Sequence, residues 1–255
     1  MEQALYNKLK SELGLSDAVN EYIEVLARKI ESESLSEEEF QKIATMYNIK
    51  VNNVSINDAV LKIRGYYIVG VYQILEHYFT SLNDYLNKYS FAFRKREDGE
   101  PTLKYLCYRL LDMQKVNDEV YLYYLLCDYY RLVRNYIAHV DSKRKIDNAY
   151  ATIIARQNEI NDKFPNLSAP NDIEEIGFDD FVLYSRSAKK LAKDMNEKIQ
   201  YDLNKVAKSI DMDKYAKLKN NPKRIRKSIE YELKVRFSLK SEDIEFVVAK
   251  LMREM

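Results

Sequence analysis

The side chains best suited to chemistry are gathered in one short stretch, Arg131-Leu132-Val133-Arg134-Asn135-Tyr136-Ile137-Ala138-His139. Histidine changes charge near neutrality, so it can take up or deliver a proton during a reaction. Arginine stays charged throughout, and its planar fork grips phosphate oxygens bidentately. Together they suit the handling of a phosphate ester. On a continuous helix Arg131, Asn135 and His139 fall at i, i+4 and i+8 and share a face, which places the Asn135 amide to orient the imidazole. Arg134 and His139 are about 140° apart around the same axis. One straight helix aims them poorly at one phosphate. Either the helix ends or bends between them, or a second copy of the chain completes the site.

Arg134-Asn135, three intervening residues and His139 match the RX4-6H motif of the HEPN superfamily, including the polar residue that often follows the arginine. The chain resembles that superfamily over roughly residues 54–205 as architecture and over 134–139 as motif. The resemblance implies an all-α bundle of four or five helices with the motif toward the end of a core helix. It also implies a metal-independent endoribonuclease of toxin–antitoxin, abortive-infection or RNA-targeting CRISPR systems. Such proteins act as homodimers in which two Arg/His pairs meet in one cleft. The ribose 2′-hydroxyl would attack the adjacent phosphorus, leaving a 2′,3′-cyclic phosphate and a 5′-hydroxyl. Arg134 and His139 would carry catalysis and Asn135 would support it, with no metal and no cofactor. Some members carry a tyrosine two residues after the histidine that a partner nucleotidyltransferase modifies. Here that position is Asp141, so this mode of control is not implied. A degenerate member that binds RNA or a protein partner without cutting is the alternative.

Other residues extend the RNA reading. Arg131 suits a neighbouring phosphate, although it equally suits Asp128 three residues earlier. Fifteen of the 22 tyrosines fall between residues 64 and 150, at helical spacings that place most in a core or interface; Tyr136 is the best candidate for base stacking. From Lys214 to Lys240 ten basic residues face two acids, a plausible footprint for RNA or an acidic partner, with Lys223, Arg224, Arg226 and Lys227 at its centre. His77, the second histidine, reads as structural at a bundle edge. An antitoxin or defence-complex partner is a further expectation.

The remaining composition narrows the frame. Forty-one basic and 40 acidic residues, five glycines, four prolines and two cysteines describe a mostly helical chain without turn-rich strands. No glycine-rich phosphate loop, cysteine-based zinc site or Ser-His-Asp order is present. The start, MEQALYNKLK, lacks an apolar signal region, and the longest apolar run, 120–127, falls far short of the roughly 20 residues a membrane span requires. A cytoplasmic protein with no membrane contact is expected. Composition sets off accessory acidic N-terminal helices (1–53) and a basic helical tail (210–255), and the resemblance implies a HEPN-like bundle between them (54–209).

Within that division, two or three short helices are expected over residues 1–50, one beginning at a Ser36/Glu39 capping box. They are expected to shield the cleft. Core helices are expected from Asn57 or Asp58 to about Asn87, from Thr102, from about Glu119 and from 179 to about 209. Loops are expected at 91–101 and 164–180. Asn221-Pro222 marks a start in the tail, and Ser241 caps a last helix.

Overall fold

The protein is all α-helical. A computed structural model describes residues 2–51, 54–139, 143–218 and 220–253. Among them are eleven α-helices, two 3-10 turns and one isolated bridge, Ser90 with Tyr201. The helices are α1 (Glu2–Ser32), α2 (Glu37–Met46), α3 (Ile56–Tyr89), α4 (Thr102–Leu110), α5 (Asp118–His139) and α6 (Lys143–Ile154). They continue with α7 (Gln157–Lys163), α8 (Phe178–Glu197), α9 (Leu203–Lys208), α10 (Pro222–Phe237) and α11 (Ser241–Arg253). No described helix is long and apolar enough to cross a membrane. Asp141 and Lys219 lie outside the described residues.

Local chemistry sets several boundaries. Ser36 and Glu39 close a reciprocal capping box at the start of α2: Ser36 Oγ accepts from Glu39 N at 3.3 Å, and Glu39 Oε2 accepts from Ser36 N at 2.9 Å. Asn221 caps α10 by accepting from Arg224 N at 3.1 Å, with Pro222 as the first helical residue. α11 begins at Ser241 itself.

Two stretches differ from expectation. Residues 2–32 form one 31-residue helix rather than short pieces. A helical glycine costs about 1 kcal/mol relative to alanine, so Gly14 alone does not end it. Burial of Leu9 and Leu13 outweighs that cost, and Asp17 is tied to α8 through Ser185 Oγ at 2.8 Å and Lys189. Residues 179–209, in contrast, divide into α8 and α9. The chain leaves the helix at 198–202 to meet the end of α3: Asp202 N donates to Tyr89 O at 3.0 Å, and Ser90 Oγ donates to Gln200 O.

Packing also divides the chain differently from composition. Instead of breaks at 53/54 and 209/210, two discontinuous units emerge. The first comprises residues 1–9, 76–116 and 192–255, and the second 10–75 and 117–191. In the first, α10 buries Ile225, Ile229, Leu233 and Phe237 at four-residue spacing, with Tyr85, Tyr89 and Val247 in the same core. The second unit holds the Arg134–His139 string. Its core includes Ile68, Val71, Leu126, Tyr129, Tyr130 and Phe181. Tyr130 stacks on Tyr184 at 4.9 Å between centroids. Eight of the fifteen tyrosines between 64 and 150 are buried, so the cluster is mainly packing material.

A buried charge cluster joins α1 to α3 within the second unit. The Glu24 carboxylate accepts from Arg28 Nε and Arg64 Nη2, both at 2.9 Å, and Arg64 also reaches Glu31 at 3.0 Å. The nearby Tyr67 hydroxyl is buried with no hydrogen-bond partner among the described residues. Burial, and then the Glu24 charge, push it up to about 12. Because this folded-state value exceeds the usual value near 10, the associated stability is whole below about pH 10 and is lost as pH rises through 12. Tyr67→Phe is expected to raise stability by about 1 kcal/mol and to flatten that alkaline loss. Denaturant unfolding at neutral and alkaline pH reads both. A destabilised Tyr67→Phe at neutral pH would mean that the hydroxyl has a partner.

Candidate functional site

α5 carries its chemistry from core to surface. Leu126, Cys127, Tyr129, Tyr130 and Val133 are buried, the residues from Arg134 to Ile137 are half-buried, and Ala138 and His139 are exposed. The helix runs unbroken to His139, its last residue. It therefore does not end between Arg134 and His139, which regular helix geometry sets about 140° apart and about 7.5 Å apart along the axis. That spacing sets the two side chains on diverging faces of α5.

Arg134 is held by its own chain. Its guanidinium carbon lies 4.4 Å from the centroid of the Tyr72 ring on α3, a close cation–π contact. Its Nη1 donates to Asn135 Oδ1 at 3.1 Å, while its Nε is buried without a hydrogen-bond partner among the described residues. Asn135 was expected to orient His139; among the described residues its side chain accepts from Arg134 instead. With the guanidinium fixed over Tyr72, its outer nitrogen falls beside the neighbouring amide. Arg131 donates from Nε to Asp128 Oδ1 at 2.7 Å, the pairing that competes with a phosphate role.

Beside the string lies a cleft of about 400 Å³. α5 contributes Tyr136 and Ile137, α3 contributes Leu61, Lys62, Gly65 and Tyr66, and the loop before α8 contributes Ile173, Glu174 and Ile176. The two helices approach closely at its base: a Cβ on Gly65 would sit 3.1 Å from Ile137 Cδ1. At the rim Glu174 pairs with Lys143. Tyr136 thus reaches a cavity with room for a planar ring. Leu61, Lys62, Gly65 and Tyr72 were not singled out from sequence, although the seven-residue spacing from Gly65 to Tyr72 marks one face of α3.

The wall of the cleft is anchored from below by Asp180, a buried residue of α8. Its carboxylate accepts from Tyr130 Oη at 2.9 Å, Asn171 N at 2.9 Å, Asn171 Nδ2 at 2.7 Å and Gly177 N at 2.8 Å. Burial pushes this carboxyl above its ordinary value, against the pull of all four donors. Tyr129 Oη donates to Asn171 O, so α5 holds the loop at two points.

The remaining candidates are placed as follows. In the first unit Lys223, Arg224 and Lys227 are exposed on α10, whereas Arg226 is engaged by Glu230 at 2.9 Å and by Glu245. His77 is exposed on α3, its Nε2 3.4 Å from Lys8 Nζ. Cys107 and Cys127 are buried, and burial drives the Cys127 thiol far above its ordinary value, which suits a core role. Comparison of the chain with protein-family models, with curated proteins and with solved structures finds no match.

Proposed function

We propose that the chain is a metal-independent endoribonuclease of HEPN type, acting in the bacterial cytoplasm in anti-phage defence or a toxin–antitoxin system. The observation that carries this reading is the placement of the Arg134-Asn135…His139 string on the last turns of a buried helix, with His139 at the exposed end. In this reading His139 takes the proton from a ribose 2′-hydroxyl as O2′ attacks the adjacent phosphorus. The 5′-oxygen leaves and receives a proton from the partner's His139. Arg134 steadies the phosphorane charge through the part of its half-buried guanidinium that solvent reaches. Tyr136 offers a flanking base a surface in the cleft. Divergence of Arg134 and His139 on one unbroken helix argues for a homodimer whose site is composite. Lys223, Arg224 and Lys227 would steer the RNA backbone.

A second reading, a non-catalytic HEPN-like subunit that binds RNA or a protein partner in a defence complex, draws on the packing of Arg134 over Tyr72 and against Asn135. In that case the guanidinium serves structure. The two readings separate on one assay. The wild-type protein, incubated in EDTA with a mixed pool of end-labelled RNA, is expected to generate 2′,3′-cyclic phosphate and 5′-hydroxyl ends. Retained binding without new ends supports the second reading in its RNA-binding form; neither binding nor cleavage defeats the first reading and leaves the second only its protein partner.

A further inference from the structure

α1 is apolar on two opposite faces. One face lies in the core through Leu13, the buried part of Glu24 and Ala27. The other carries Leu15, Ala18, Val19, Tyr22, Val25 and Leu26, all exposed. These six fall at i, i+3, i+4, i+7, i+10 and i+11, the stripe of a helix that packs against another helix. Nothing among the described residues covers it. At 70, 50, 71, 66 and 48% exposure, Leu15, Val19, Tyr22, Val25 and Leu26 are among the most open apolar side chains of the chain. Leaving that surface in water is costly, and contiguous apolar patches of this kind mark interaction sites.

We infer that this face is an interface between two copies of the chain, formed by α1 pairing antiparallel with the partner's α1. The charges select the occupant and its direction. An antiparallel register that sets Tyr22 against the partner's Val25 also sets Val19 against the partner's Leu26. The same register places Glu21 beside the partner's Arg28, twice by symmetry; Arg28 keeps its bond to Glu24 of its own chain through Nε, so Glu21 would meet the rest of the guanidinium. It lays the aliphatic stem of Lys29 over the partner's small Ala18, leaving the ammonium in water. A parallel pairing would instead oppose Lys29 to the partner's Lys29 inside the seam. Glu12 and the partner's Glu33 meet only beyond the apolar stretch, where Lys29 lies 3.7 Å from Glu33 in its own chain. The five large side chains offer about 500 Å² per copy, or about 1,000 Å² in all, at the threshold for a specific association.

The inference does not rest on the catalytic reading: that reading also calls for two copies, but only an α1 interface makes the dimer mass depend on Tyr22. Sedimentation of the full chain at about 10 µM is expected to give a dimer. Tyr22→Glu is expected to weaken that dimer more than about 100-fold, since the change enters the interface twice, while the circular dichroism and melting temperature of the monomer hold. An equimolar mixture of Val19→Cys and Leu26→Cys chains is expected to form the mixed disulfide under mild oxidation, in preference to either homodisulfide. A monomeric wild type overturns the inference. So does a dimer indifferent to Tyr22→Glu, or a crosslinking pattern in which the homodisulfides dominate. If Tyr22→Glu does not fold, Val25→Lys and the disulfide pattern give the same decision.

Discussion

His139→Ala is expected to slow RNA cleavage in EDTA by roughly 10²–10⁴-fold, the usual worth of a positioned acid–base group. The change is chemically clean because His139 is exposed at the last position of α5, so its removal leaves no cavity and orphans no buried donor. The variant is therefore expected to unfold at the wild-type temperature and to retain RNA affinity, which separates lost chemistry from lost fold. Initial rates at equal folded concentration, read as appearance of 5′-hydroxyl ends, check it. Cleavage at the same rate by both proteins would place the activity elsewhere or in a contaminant, and the motif would then be no guide. Arg134 is a poorer first target. Its guanidinium packs on Tyr72 and bonds Asn135, so a change there alters structure along with chemistry.

The second large effect is on stability. Asp180→Ala is expected to cost about 3–5 kcal/mol, the range for removing one partner from a buried, hydrogen-bonded charge. Four donors from Tyr130, Asn171 and Gly177 would lose their buried acceptor. The ionised carboxylate is itself expensive there, and its pKa lies above the ordinary value. A raised folded-state pKa means that the proton-linked stability is fully present below the unfolded value near 3.9, and is lost as pH rises through the folded one. Removing the carboxyl is still the larger loss, because the donors remain. The cleft should suffer with it, since Asn171 and Gly177 flank Ile173, Glu174 and Ile176. Urea unfolding gives the measure; a loss below about 1 kcal/mol would show that the loop relaxes and resatisfies the donors.

What could be read in advance followed from local chemistry. The Ser36/Glu39 box and the Asn221-Pro222 start each involve residues within a turn of one another, and each is found as expected. What could not be read depends on distant partners. Gly14 and Ser16-Asp17 have the look of a helix boundary, yet Asp17 reaches Ser185 and Lys189 across more than 160 residues and α1 continues through. The interruption at 198–202 has its cause at Ser90, over 100 residues away. The site divides along the same line. Residues within the Arg134–His139 string follow from spacing, as does the pairing of Arg131 with Asp128. Tyr72 beneath Arg134, and the α3 wall of the cleft, come from a helix pairing that periodicity does not specify.

The ion pairs of the basic tail change what its formal charge can do. Lys214 and Arg236 are held by Glu232, and Arg226 by Glu230 and Glu245. A polyanion docking there displaces salt from its own backbone only in proportion to the cations that reach it. Each phosphate neutralised on a single strand steepens the dependence of log K on log salt by about 0.7. Three cations already matched by carboxylates therefore remove about two units from that slope. Entropy gained from released counterions is accordingly smaller than a count of lysines and arginines implies.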